Sequence, residues 1–363
     1  MDIAFYAPLK SPSHPVPSGD RLMARQLIAA LELAGHSVTV VSEFRSFLPA
    51  ADSPVGERDG KATEEAERIS TGWEGAGKPD MWICYHPYYK APDLIGIALC
   101  RRFAIPYVTV ETSYSSRRNL GQWAQAQDLV LEGARMAAAS ICLTERDLQG
   151  LEPYIPKDRL FRLAPFIQAD PYLTRRPAPQ PGRLITVAMM RSGDKLSSYA
   201  ALAAALHEIA DLPWTLSVIG DGPARTEVER LFGAEIAGRV EWLGQKNQDE
   251  IAALLSTASI YVWPGHGEAY GLAYLEAQAA GLPVVAESVA GVPEAVANGR
   301  SGLLTPPGDQ YAYAQAIALL LKDAQERQRL ARGARAFVAA ERDISAASAR
   351  LDQIITSCRK DRS

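Results

Sequence analysis

Short apolar runs and amphipathic segments alternate along the whole chain, and this alternation predicts an architecture before any single residue does. Residues 2–7 read as a strand, the loop PLKSPSHPVPSGDR follows, and Leu22, Leu27, Ala30, Leu31 and Ala34 supply the apolar stripe of a helix over 21–34 that Gly35 ends. A second strand at 37–42 completes a βαβ unit, which implies parallel sheet. The pattern continues with strands at 81–85 and 106–110 around a helix at 92–103, a helix near 128–138, and strands at 140–144 and 160–166. Only 49–79 interrupts it, a polar stretch in which ERDGKATEEAER reads as a solvated helix. After the proline-rich PYLTRRPAPQPGR the alternation restarts, with strands expected at 184–188, 215–219, 240–243, 259–263, 284–286 and 302–304 and helices between them. A helix over 311–322 can be capped by Asp309, and 327–358 reads as helical. The expected fold class is α/β, with two Rossmann-like domains. The expected division is 1–170, a linker at 171–183 read from its prolines, 184–340, and a terminal helix at 341–363.

Composition narrows the function classes. A length of 363 residues favours two domains over one, and 47% hydrophobic with 22% charged residues describes a globular chain. The net charge of −4 argues against nucleic acid as a partner. No apolar run approaches the roughly 20 residues of a membrane span, and the chain opens on a strand, so a cytoplasmic location is expected, with peripheral membrane contact left open. Cys84, Cys100, Cys142 and Cys358 are too dispersed for a disulfide framework or a zinc site, and the five histidines have no metal spacing.

The candidate chemistry lies where strands end. The loop GHGEAYGL follows the strand at 259–263 and feeds a helix that starts at Gly271. Free backbone N–H groups at such a helix start attract an anion, whereas Glu268 on the loop and Glu276 on the helix accept hydrogen bonds from hydroxyls. A ligand that is anionic at one end and polyhydroxylated at the other is a nucleotide sugar. Arg191 and Lys195 stand in the polar loop after the strand at 184–188, a pair of cations able to neutralise a diphosphate. In the first half, Gly19 lies in the loop before the first helix, and His86 and Glu111 end two strands. Gly220-Asp-Gly222 does not extend to a dinucleotide fingerprint, because Arg225 stands where the third glycine belongs.

From Glu268 to Glu276, with seven residues between them, and on through the small-residue helix to Gly281-Leu-Pro-Val-Val285, the chain resembles glycosyltransferase family 4. That resemblance implies the GT-B architecture, two domains facing across a cleft. It also implies transfer of a sugar from a nucleoside diphosphate sugar to an acceptor hydroxyl, with retained configuration. In the family the first Glu contacts sugar hydroxyls and the second the ribose, here Glu268 and Glu276. Amides near Tyr270, Gly271 and Leu272 would face the phosphates, Arg191 and Lys195 the diphosphate, and Gly19 the donor. Arg191, Lys195 and Glu268 are thereby the expected catalytic set, with no metal or other cofactor. The first domain would choose a glycan or lipid-linked acceptor, with His86 and Glu111 as candidate acceptor or sugar contacts, and the last helix would cross back to it. Departures from the family pattern are Glu111 where His is frequent, Met190 and Leu196 in place of glycines, and one glycine at Gly19 in place of a pair. Two rivals share the architecture: a nucleotide-sugar-binding protein without activity, and a phosphorylase or epimerase.

Overall fold

The computed structural model describes residues 1–16 and 18–360. The chain forms two compact units, Met1–Ala164 together with the helix Ile344–Lys360, and Pro165–Asp343. Each unit is built on one six-stranded parallel sheet.

In the first unit the strands are β1 (Asp2–Tyr6), β2 (Ser37–Ser42), β3 (Met81–Tyr85), β4 (Tyr107–Val110), β5 (Ala139–Cys142) and β6 (Leu160–Arg162), in the order β2-β1-β3-β4-β5-β6. β3, β4 and β5 are buried along their whole length, as strands covered on both faces by crossover helices must be, and this is why they read as unbroken apolar runs. The helix Gly19–Leu33 starts where the Ser18 hydroxyl accepts the Arg21 N–H, and it buries Met23, Leu27, Ala30 and Leu31. Against it packs the helix Ile344–Lys360, with His36 Nε2 3.1 Å from Asp352 Oδ1. All four cysteines are buried.

In the second unit the strands are β7 (Arg183–Val187), β8 (Thr215–Ile219), β9 (Val240–Gly244), β10 (Ile260–Val262), β11 (Val284–Glu287) and β12 (Gly302–Thr305), in the order β12-β11-β10-β7-β8-β9. Three expectations need correction. Residues 171–183 are not a free connector. Tyr172 is buried, and the N–H groups of Ala178 and Gln180 donate to the carbonyls of Ser256 and Thr257 at 2.8 and 2.9 Å, so the stretch lies on the second unit. Lys195 is not in a loop, because the helix begins at Asp194, directly after a turn at Gly193 with φ +78°. The helical C-terminal segment is broken at Asp343, whose backbone is extended and pairs with Ile167.

Candidate functional site

The strand orders fix where a ligand can sit. In the second unit the chain runs from β7 outward to β9 and then returns to place β10 on the other side of β7, so the loops after β7 and β10 diverge at the carboxyl edge of the sheet. That divergence opens the crevice in which parallel sheets bind ligands. Both candidate loops flank it. Lys195, on the first turn of the helix Asp194–Glu208, forms an ion pair with the Glu268 carboxylate. The same Glu268 oxygen accepts the Trp263 indole N–H at 2.9 Å, and the Lys195 ammonium lies 5.5 Å from the Trp263 ring centroid. Trp263 is itself held, by edge packing on Tyr199 at 4.9 Å and by the Tyr274 hydroxyl donating to its carbonyl at 3.1 Å. Glu268 is therefore neutralised and aimed by a rigid aromatic base, which the sequence did not reveal.

Gly271 adopts φ +73° and opens the helix Leu272–Ala279, and a Cβ there would lie 2.6 Å from the Tyr274 ring. Only glycine accommodates both conditions. Tyr270 and Leu272 on either side are buried, so this segment offers backbone rather than side chains to the crevice. Glu276 sits half-buried on the same helix. Burial raises its pKa, and the Tyr172 hydroxyl works against that rise. Arg191 is exposed on the loop after β7. That loop is pinned by the turn after β8, with Met190 N–H donating to Asp221 and Ala224 N–H donating to Met190, both at 3.0 Å. Gly220 and Gly222 serve this packing, since a Cβ on either would strike the carbonyl of Ala188 or Met190.

Sequence reasoning missed one cluster beside these residues. His266 Nδ1 lies 3.0 Å from Ser197 Oγ, its Nε2 lies 3.2 Å from Glu287 Oε1, and its backbone N–H donates to Ser198 Oγ at 3.0 Å. Glu287 is 1% exposed and also accepts the Gly308 N–H at 2.8 Å. The imidazole thus ties the loop after β10 to the helix that carries Lys195. A carboxylate ending the buried run Val-Val-Ala-Glu was the available signal.

The first unit has its own divergence, between β1 and β3. His86 and Glu111, which end β3 and β4, both hold φ +58°, a left-handed conformation costing on the order of 1–3 kcal/mol per non-glycine residue. His86 Nδ1 is 3.0 Å from Asp20 Oδ1. Burial alone would depress the His86 pKa, but Glu111 and the hydrogen-bonded Asp20 outweigh it and raise it to about 9. Burial pushes Glu111 up to about 7, with His86 opposing and Asp147 and Asp20 reinforcing the rise. Gly19 is the exposed first residue of its helix, and a Cβ there would meet nothing within 4 Å. The second unit thus gathers Arg191, Lys195, Glu268, Gly271 and Glu276 around one sheet edge, while Gly19, His86 and Glu111 stand on the first.

Among the described residues, no group of three or more His, Cys, Asp or Glu side chains is arranged to hold a metal ion. No described helix is long and apolar enough to cross a membrane.

Residues 182–323 match the family model described as glycosyl transferases group 1. A D-inositol 3-phosphate glycosyltransferase of Frankia alni is 28% identical over 298 residues, 72% of this chain and 71% of that one. Among solved structures, a sucrose-phosphate synthase from Thermosynechococcus elongatus superposes with a TM-score of 0.75 at 20% identity, over 99% of both chains. Anabaena Alr3699/HepE, crystallised in complex with UDP, gives 0.72 at 16% identity, over 98% of this chain and 100% of that one. With the two parallel sheets, these likenesses place the chain in the GT-B fold class expected from its sequence.

Proposed function

We propose that this chain, whose residues 182–323 match the glycosyl transferases group 1 model, moves a sugar from a nucleoside diphosphate sugar to an acceptor hydroxyl, with retention and without a metal. The observation that carries this reading is the Lys195–Glu268 pair at the edge between β7 and β10. The site holds its cation and its acceptor of hydroxyl hydrogens against each other. A bound donor separates their tasks: its diphosphate takes Lys195, Arg191 and the N–H groups at the start of the helix Leu272–Ala279, and its sugar hydroxyls take Glu268. Negative charge grows on the diphosphate as the glycosidic bond breaks, and fixed cations and amides stabilise it without reorganising. Glu276 receives the ribose hydroxyls from the same helix.

Retention follows, in this proposal, from a front-face route in which a donor phosphate oxygen helps to take the acceptor proton. The two rival readings gain no support from these residues, since Arg191, Lys195, Glu268 and Glu276 are all present. UDP, the nucleotide held by the Anabaena structure, is the first to test. The expected result is UDP release from a UDP-sugar only when an acceptor is supplied, at a rate unchanged by a chelator. Release without acceptor would favour hydrolysis or phosphorolysis. Activity abolished by chelation and restored by magnesium or manganese would overturn the metal-free assignment.

A further inference from the structure

One feature of the first unit is not used by the donor chemistry. From His86 outward runs a ladder of rings: His86 stacks on Tyr88 at 5.0 Å, Tyr88 meets Tyr89 edge-on at 5.2 Å, and Tyr89 meets Trp123 edge-on at 5.0 Å. Two cations border its outer end. Lys90 Nζ lies 5.0 Å from the Trp123 ring centroid and 5.9 Å from that of Tyr89, and the Arg118 guanidinium lies 5.4 Å from the Tyr89 centroid. Neither cation ion-pairs with a carboxylate among the described residues.

The backbone beneath is fixed. Tyr88 and Ala91 exchange hydrogen bonds at 3.2 and 2.8 Å, which sets Tyr89 and Lys90 at the tip of a tight turn. Trp123 donates its indole N–H to the Leu48 carbonyl at 3.3 Å. Tyr89, Lys90 and Trp123 are half-buried and Arg118 is exposed, so the outer end is rigid and open to solvent.

Aromatic rings offer an apolar face to the C–H face of a sugar, and unpaired cations beside them select an anion. At the inner end, the half-buried Asp20–His86 pair supplies hydrogen-bonding groups for hydroxyls. We propose that the ladder His86–Tyr88–Tyr89–Trp123, with Lys90 and Arg118, is the acceptor subsite and that it takes an anionic saccharide, its sugar along the rings and its phosphate or carboxylate at the two cations. This deepens the transferase reading, on which it rests.

Binding to the full chain tests it without a donor. Glucose 6-phosphate and glucuronate serve as anionic probes, with glucose and inorganic phosphate as controls, by calorimetric titration. Glucose 6-phosphate should bind more tightly than either control, and the surface double variant Lys90→Gln/Arg118→Gln should weaken it at least tenfold while leaving UDP affinity unchanged. Trp123→Phe, which keeps a ring, should retain more affinity than Trp123→Ala. Equal affinity in wild type and double variant, or inorganic phosphate as tight as glucose 6-phosphate, would overturn the subsite. UDP titration is a separate arm, so failure of the donor reading would appear there alone.

Discussion

Replacing Lys195 with alanine lowers the turnover number by at least about tenfold while weakening nucleotide binding less. The side chain stands on the first turn of the helix Asp194–Glu208, about a quarter exposed, so its removal spares the fold. What it removes is a charge-assisted contact worth roughly 1.5–3 kcal/mol, and a loss of about 1.4 kcal/mol in barrier is already tenfold. The loss is larger in the transition state, where the leaving diphosphate carries more charge than in the ground state. The variant also takes from Glu268 its cation while leaving the Trp263 N–H, so that an uncompensated carboxylate opposes an incoming diphosphate. Arg191→Lys restores only part of the function lost in Arg191→Ala, because an ammonium lacks the bidentate fork of a guanidinium. Steady-state kinetics on folded variants decides the matter, and wild-type turnover in Lys195→Ala would move the donor site elsewhere.

Glu268→Gln separates the two tasks assigned to the pair. Glutamine still accepts the Trp263 indole hydrogen, so the aromatic base stays satisfied, but it no longer neutralises Lys195. Nucleoside diphosphate affinity should hold or improve, since the cation is released to the anion. Turnover should fall at least about tenfold, as the neutral amide is a weaker acceptor for sugar hydroxyls and the sugar loses its alignment. Alanine at the same position should be worse, because it strands the largely buried indole N–H at a cost of about 1–3 kcal/mol. Unchanged turnover in Glu268→Gln would remove the residue from the sugar contact.

The legible and the illegible parts of this molecule divide along physical lines. Strands such as Val284–Glu287 and Met81–Tyr85 are buried on both faces and announce themselves as apolar runs, so the two parallel sheets could be read directly. Loop residues such as Arg191, Glu268 and Gly271 could be located because strand ends and helix starts could be. The run Ser-Gly-Asp-Lys reads as loop because it is polar, although a positive φ at Gly193 lets the helix begin at once. Prolines at 177, 179 and 181 suggest a connector equally well whether the stretch is free or pinned. The intervening N–H groups of Ala178 and Gln180 decide it, and their partners are about 80 residues away in sequence. Pairings of that kind, Lys195 with Glu268 and His266 with Ser197 and Glu287, arise only when separate loops meet at one sheet edge. No local pattern encodes them.

The central claim, that a nucleoside diphosphate sugar binds in the second unit beside Glu276 and Lys195, is tested most directly by calorimetric titration. UDP, GDP and ADP would each be titrated into the full chain and into Glu276→Ala. One nucleoside diphosphate should bind at a single site in the wild type, and its affinity should drop at least about tenfold in the variant, the loss of about one charge-assisted hydrogen bond to ribose. Absence of binding by all three, or equal affinity in the two proteins, would contradict the account.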